Sequence, residues 1–320
     1  MKTRRMLAKL AISLVALLLF TSMVPTIKAR GADVDYTISS YESDLTLASD
    51  GSAYFQERIT YSLRADTVIL DKPLPMLDVS DIEDLEVLLV RDEGEETETR
   101  VALEARDNKN GDASRTYIYE PIEKDENLYN ISIEADKNDG SKLTYIYKYR
   151  LKDIVFLYRD TAALFWQFII PGNTVAHDYV KVSVAYPKGK GPEVEGYIGG
   201  SVYDEKAIDD DGRFAAQASK IGTDQSFELV LLMPVDIFPD GRKLIDNNAK
   251  SDIVEEMTMW EQEVLDLHKQ ANKKRVLMGA FIGLLILVIG FISFCILNKY
   301  KKKKNRDINS ESGIQDRAVH

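Results

Sequence analysis

The chain has 320 residues, a hydrophobic fraction of 45% and a formal net charge of −11 at pH 7. This length and composition accommodate one large or two small folded domains and exclude a chain that is disordered throughout. The charge is unevenly distributed, because residues 32–272 hold 25 basic and 49 acidic side chains while both ends are basic. A central region with this excess of acidic side chains repels nucleic acid and attracts basic partners. We therefore expect no nucleic-acid partner.

The first 31 residues are typical of a secretory signal peptide. A basic start precedes an apolar run from Leu10 to Phe20, and small residues follow, with Ala29, Gly31 and Ala32 as candidate cleavage positions. The apolar run is shorter than a spanning helix requires, so we expect cleavage near Ala29–Ala32. An uncleaved signal anchor is the alternative.

Residues 32–245 are predicted to form a mainly β, extracellular region of one or two packed antiparallel β-sandwiches. Short apolar-polar alternations are separated by turns rich in Gly, Asn and Asp, the pattern of such sandwiches. Asp50-Gly51 lies between two of these alternations and predicts a hairpin. The predicted strands are Tyr36–Leu47, Ser52–Leu63, Leu85–Arg91, Arg100–Leu103, Thr116–Tyr119, Leu128–Ala135, Ser141–Leu151, Tyr179–Tyr186, Glu193–Ile198, Gly212–Ser219 and Ser226–Met233. At Thr161–Phe168 we instead expect a short helix capped by Asp160, or an aromatic-rich crossover between sheet layers.

Residues 246–275 are predicted to form a juxtamembrane helical stalk. Apolar residues recur there at spacings of four and three, which is a heptad seam, with Ser251 or Asp252 as the helix cap. Within the following apolar segment, two glycines have the spacing of a helix-dimer motif. The candidate helix-association residues are therefore Met257, Trp260, Val264, Leu267, Gly279 and Gly283. The seam predicts either a homodimer or packing of the stalk against the β-rich region, and both stay open.

Val276–Leu297 is an uncharged run of 22 residues and is predicted to be a transmembrane helix. The basic residues of 298–320 place this tail in the cytoplasm, in contact with membrane lipid, and the N-terminal domain outside a single-pass cell-membrane protein. The only cysteine is Cys295, so the β-rich region has no disulfide. That usage is more typical of a bacterium with one membrane than of a eukaryotic secreted protein.

Two stretches of the chain carry a recognisable pattern. The first begins at Asp35 and ends in a strand at Phe55 to Tyr61, with Glu57, Ile59 and Tyr61 in register with that pattern. The second, Thr144 to Ile169, matches at Tyr145, Tyr147, Leu151, Val155, Tyr158, Asp160, Ala162, Leu164 and Trp166. Both stretches resemble the DUF2207 family of predicted bacterial membrane proteins. The resemblance covers about residues 34–240 and implies a secreted β-rich domain of a membrane protein. It implies no chemistry, because the family has no established activity.

Glu57 is the carboxylate that most invites a functional interpretation, because it lies on the otherwise apolar face of its strand. A buried carboxylate requires a partner or a raised pKa. We interpret Glu57 as part of a structural salt bridge or hydrogen bond to a neighbouring strand. The alternative is one member of a catalytic carboxylate pair.

No other residues point to chemistry. The histidines His177, His268 and His320 lack the spacing of a zinc site, and we interpret His177 as a solvent-exposed turn residue. The acidic runs at 93–98 and 209–211 lack the spacing of a calcium-binding EF-hand loop. We therefore predict no catalytic, cofactor-binding or metal-binding residues.

These observations favour a non-enzymatic β-sandwich binding or scaffold module, anchored in the cell envelope, with an unknown protein or envelope ligand. One alternative is a sensor or subunit of a membrane complex that acts through association of stalk and transmembrane helix. A second alternative is a carboxylate-dependent envelope hydrolase.

Overall fold

The structure is a computed structural model of the chain, and it describes residues 35–76, 79–91, 98–106, 116–122, 125–136, 141–187, 194–208, 212–266, 269, 270 and 273. The chain divides into two units, Met1–Glu261 and Gln262–His320. The strands are β1 Tyr36–Leu47, β2 Ala53–Leu63, β3 Thr67–Pro75, β4 Ile82–Arg91, β5 Thr99–Ala102, β6 Glu104–Ala105, β7 Thr116–Ile122, β8 Asp125–Asp136, β9 Lys142–Leu151, β10 Val155–Leu157, β11 Ala162–Ile169, β12 His177–Ala185, β13 Glu195–Gly199, β14 Glu205–Ile208, β15 Phe214–Ile221 and β16 Phe227–Met233. A 3-10 helix follows at Val235–Ile237, and an α-helix, α1, covers residues 250–266.

The strands form three sheets. An eight-stranded shared sheet has the order β14-β15-β12-β1-β2-β9-β4-β5, the first covering sheet is β3-β8-β7-β6, and the second covering sheet is β10-β11-β16-β13. Most neighbours are antiparallel, as predicted. The antiparallel expectation is wrong for β1 with β12 and for β6 with β7, which pair in parallel. Parallel pairing is allowed because a long stretch of chain separates β1 from β12, which leaves room for a crossover.

Both covering sheets lie on the same face of the shared sheet. Phe55 and Glu57 alternate inward on β2, and the ring of Phe55 lies 4.9 Å from that of Trp166 in the second covering sheet. Glu57 instead forms an ion pair of 2.7 Å with Lys72 in the first covering sheet. One hydrophobic core therefore runs across all three sheets, and the architecture is two sandwiches with a common layer.

The strongest sequence patterns gave the correct elements. The predicted hairpin around Asp50-Gly51 is β1–β2, and Gly51 has φ of 77°, a conformation that glycine adopts without steric cost. The helix expected at Thr161–Phe168 is wrong, because this segment is strand β11. Ala162, Leu164 and Trp166 alternate into the core with a period of two, which a helix would not allow.

Several predicted segments lie outside the described residues, namely the signal peptide, the run Val276–Leu297 and the basic tail. Within the described ranges, no helix is long and apolar enough to cross a membrane.

Candidate ligand-binding cavity

A cavity of about 660 Å³ lies between the two covering sheets, above the shared sheet. Its floor includes Tyr41 of β1 and Ile59 of β2, and one wall is β3. The opposite wall is the end of β11 at Phe168 and the connection that leads to His177 at the start of β12. The two covering sheets therefore leave a gap above the shared sheet, and the floor residues Tyr41 and Ile59 are themselves buried.

Glu57 lies beside this cavity in a cluster of buried polar groups, and only 1% of its side chain is exposed. One carboxylate oxygen accepts a hydrogen bond from Tyr41, and the other accepts one of 2.9 Å from Tyr149 and contacts the Lys72 ammonium at 2.7 Å. Burial, together with the negative charge of Glu57, raises the pKa of both tyrosines well above the ordinary value. Both hydroxyls therefore stay protonated and act as donors.

This geometry confirms the interpretation of Glu57 as a structural ion pair. Both of its oxygens are occupied and its side chain is buried, whereas the hydrolase alternative expects a carboxylate that faces an open cleft beside a second acid. The Lys72 ammonium also lies 5.3 Å from the ring centroid of Tyr149 and 5.8 Å from that of Tyr147. The Glu57 carboxylate neutralises the buried Lys72 ammonium at the cavity wall, and the aromatic faces stabilise it further.

His177 contradicts its predicted position, because it is 5% exposed and not in a solvent-exposed turn. It begins β12, pairs with Ile38 on β1 and Ile221 on β15, and its ring lies 6.2 Å from that of Tyr41. Burial lowers the pKa of His177 to about 4, so the imidazole is neutral at pH 7. Among the described residues, no group meets full hydrogen-bond geometry with its Nδ1, although the nearby Val175 backbone opposes part of this lowering of the pKa.

An unpaired buried nitrogen of this kind has a free-energy cost of about 1–3 kcal/mol. A neutral imidazole can donate through one nitrogen and accept through the other. Because His177 lines the cavity, a bound molecule could supply the missing hydrogen bond. The cavity therefore has a neutral polar anchor within mostly apolar walls.

The candidate helix-association residues lie in a different part of the molecule. Ile253 and Met257 of α1 contact the outer face of the second covering sheet at Ala163, Val230 and Leu232. Trp260 fits against Gly199 so closely that a Cβ on this glycine would lie 2.0 Å from the indole ring. Val264 is half-buried, while the side chains of Leu267, Gly279 and Gly283 lie outside the described residues. Association between copies of the helix remains a prediction.

Polar contacts also hold the start of α1. The backbone N–H groups of Ala249 and Lys250 donate to the carboxylate of Asp160, at 2.9 Å and 3.2 Å. Asp160 therefore caps this helix, and the caps predicted at Ser251 and Asp252 are wrong. Near the other end, Glu261 accepts a hydrogen bond of 2.8 Å from the Ile198 backbone N–H. The same carboxylate also contacts the Lys206 ammonium at 2.7 Å.

Within the part of the chain that the structure describes, no cluster of His, Cys, Asp and Glu side chains has the arrangement of a metal site. The acidic run at 209–211 and residues 93–97 of the acidic loop lie outside that part.

Sequence reasoning missed Lys72 and the whole of β3. The available signal was the alternation Val68, Leu70, Lys72, Leu74, in which a lysine occupies an apolar position. Pro73 and Pro75 concealed this strand, because proline is excluded from central strands and occurs at sheet edges.

The fold and the cavity define a predominantly β protein in which two small sheets cover one large sheet and leave a ligand-sized gap. The chain belongs to the DUF2207 family, since the family described as "Predicted membrane protein (DUF2207) N-terminal domain" matches residues 37–233. No curated protein matches the chain.

Solved structures show only distant likeness. A Parabacteroides distasonis protein, described provisionally as a protease, has 12% identity and a TM-score of 0.38, over 62% of this chain and 40% of its own. A Legionella pneumophila protein, described provisionally as nutrient-binding, has 9% identity and a TM-score of 0.35, over 62% and 67%. Native leukotriene A4 hydrolase of Saccharomyces cerevisiae has 12% identity and a TM-score of 0.36, over 62% and 29%. The chain thus spans less than half of the first and third proteins, and these TM-scores are too low to carry an argument.

Proposed function

We propose that the chain is a single-pass protein of the cell membrane whose β-rich region, outside the cell, is a non-enzymatic binding or scaffold module. The ligand occupies the cavity between the covering sheets. The family description and the uncharged run at Val276–Leu297 support the membrane anchor, and the basic tail supports its orientation and its contact with membrane lipid.

The observation that carries this proposal is the cavity itself, with the buried imidazole of His177 on its wall. Ligand sites are typically apolar clefts of about 300–1,000 Å³ with a few convergent polar groups, and the cavity has this size and character. Since Nδ1 of His177 has no described partner of full hydrogen-bond geometry, a ligand in the cavity can complete its hydrogen bonding.

Proximity labelling from the full-length protein in its membrane tests the proposal. Ile69→Trp places a large ring at the cavity wall, where Ile69 is 61% exposed. Ile208→Trp is the matched control, because Ile208 is an exposed isoleucine on β14, outside the cavity. We expect a set of labelled neighbours to disappear with Ile69→Trp and to persist with the control. Identical sets for all three proteins would contradict a binding role for the cavity.

The proposed orientation has its own test. Protease added to intact cells that express the chain should digest residues 32–245 and leave the tail at 298–320 intact. A tail that is cleaved from outside while the acidic region survives would reverse the topology.

A sensor or complex subunit is the second candidate, and the firm attachment of α1 to the second covering sheet favours it. Trp260 and Glu261 join the helix to β13, so a displacement of the helix would move the sheet. If copies associate through the stalk, Val264→Asp should reduce the cross-linked dimer in membranes. Gln270→Asp is the control, because Gln270 is exposed. An unchanged dimer yield with Val264→Asp would rule out association through this seam.

A further inference from the structure

Among the strands that the structure describes, β3 has one free edge. It is the last strand of the first covering sheet, and among the described strands β8 is its only neighbour. The backbone N–H of Asp71 donates to the hydroxyl of Tyr36 at 3.2 Å, so it points away from β8. Because hydrogen-bonding direction alternates along an antiparallel strand, the N–H and C=O groups of Thr67 and Ile69 also point away from β8.

The positions of the two prolines in β3 agree with the assignment of this edge as unpaired. Pro73 and Pro75 have the same parity as Asp71, so their missing N–H groups fall on the free edge and remove no bond to β8. The available donors of the edge are therefore at Thr67 and Ile69.

The free edge runs along the cavity. Side chains of both parities line it, including Val68 and Lys72 from the inner face and Thr67 and Ile69 from the outer one. Side chains from both faces of a strand can line the same cavity only where the edge of that strand borders the cavity. An unpaired edge of this kind is a template for another strand.

We propose that the ligand of the cavity is an extended peptide that pairs with the free edge of β3 as an added strand and inserts one side chain toward His177. This inference rests on the proposed function and specifies its ligand class. Main-chain hydrogen bonds provide affinity in such complexes, and the pocket for an inserted side chain provides specificity.

Charge defines the peptide further. Glu57 and Lys72 neutralise each other and the tyrosines and His177 are uncharged, so the cavity favours an apolar side chain with one neutral hydrogen-bonding group. The rim carries the exposed carboxylates of Asp35 and Asp71. With 49 acidic and 25 basic side chains in residues 32–272, the surroundings favour basic residues on either side of the inserted one.

The test uses the full-length chain in detergent micelles and a phage-displayed library of random octapeptides, with Ile69→Trp for negative selection. Enriched peptides are synthesised and their Kd is measured by fluorescence anisotropy. Peptides N-methylated at single amides then show which N–H groups bind. We expect an alternating pattern, in which every second methylation weakens binding by about tenfold or more, since each removes a hydrogen bond to β3.

The protein side has a matched pair of variants. Ile69→Pro removes one edge N–H at a position equivalent to Pro73, and Ile69→Val retains it. We expect Ile69→Pro to weaken binding by about tenfold and Ile69→Val to leave it within about twofold. Tryptophan fluorescence during denaturation verifies that both variants fold.

Three results would overturn the inference. Peptides that compete at the cavity but tolerate every methylation and Ile69→Pro would show a ligand that ignores the edge, and the proposed function would stand. Failure to enrich any peptide over Ile69→Trp would exclude peptides as ligands, while proximity labelling decides separately whether the cavity binds something else. Dimers that Ile69→Pro dissociates would show that the edge pairs with a second copy of the chain.

Discussion

The cavity wall and the face that binds α1 are both built on the core of the first unit, but they differ in how their polar groups are satisfied. At the helix face, Asp160 accepts from two backbone N–H groups and Glu261 accepts from Ile198 and Lys206. At the cavity, Glu57 and Lys72 satisfy each other, whereas Nδ1 of His177 has no partner of full hydrogen-bond geometry within the described part of the chain.

This difference distinguishes a structural contact, here called a joint, such as the attachment of α1 to the second covering sheet, from a ligand-binding site. A joint whose polar groups are paired gains nothing from a further molecule, while an unpaired buried group favours a ligand that provides its missing bond. The following predictions test that comparison, beginning with the largest expected effect.

Lys72→Met should destabilise the protein by about 3–5 kcal/mol, because it leaves the buried Glu57 carboxylate without its cation. Chemical denaturation followed by Trp166 fluorescence, in a Trp260→Phe background, measures the free energy of unfolding of the core. The double variant Glu57→Gln with Lys72→Met should recover much of the loss, since no uncompensated charge remains. A single-variant loss below about 1 kcal/mol would show that water reaches this pair in solution.

Acid should destabilise the cavity region through His177. The folded state has a pKa of about 4 for this group, while an unfolded histidine titrates near 6.5. Between these values the unfolded state binds the extra proton, so stability falls as the pH decreases below about 6.5 and levels off below about 4. The loss attributable to His177 should reach about 3 kcal/mol.

His177→Phe is the control, because it removes this titration and leaves the carboxylates unchanged. The difference in unfolding free energy between wild type and His177→Phe should therefore vary with pH over this interval. A constant difference would show that the pKa of His177 in the folded protein stays near its unfolded value of 6.5.

The parts of the fold that were predictable from the sequence are those with a local cause. The β1–β2 hairpin was predicted because Asp50-Gly51 determines the turn and the flanking residues alternate. The unusual position of Glu57 was also visible, since one charged residue interrupted an apolar face. Its partner Lys72 could not be predicted, because Lys72 belongs to another sheet and no local sequence pattern indicates which sheets pack together.

The failures have the same origin. His177 resembled a turn residue because Gly172 and Asn173 precede it, but parallel pairing with β1 draws it into the core. Thr161–Phe168 has helix-forming composition, and tertiary pairing of β11 with β16 overrides it. The cavity could not be predicted at all, since it depends on where the two covering sheets end.

Trp260→Ala should detach α1 while leaving the sheets folded, at a loss of about 2 kcal/mol, below the 3–5 kcal/mol typical of a fully buried tryptophan because this ring is only half-buried. Hydrogen exchange should accelerate in residues 250–261 and remain unchanged in β2 and β9. Met259→Ala is the control, since Met259 is 61% exposed on the same helix. Equal acceleration throughout the core would show that the helix is part of the fold's cooperative unit and not a separable joint.

Asp160→Ala should produce the smallest effect, about 1 kcal/mol, because it removes the acceptor for the N–H groups of Ala249 and Lys250. The loss should be confined to the first turn of α1 and should appear as faster hydrogen exchange there. Asp160→Asn should restore most of the protection, since an asparagine oxygen accepts the same bonds. If Asp160→Asn were as weak as Asp160→Ala, the negative charge at the helix N-terminus, and not the hydrogen bonds, would be what holds this joint.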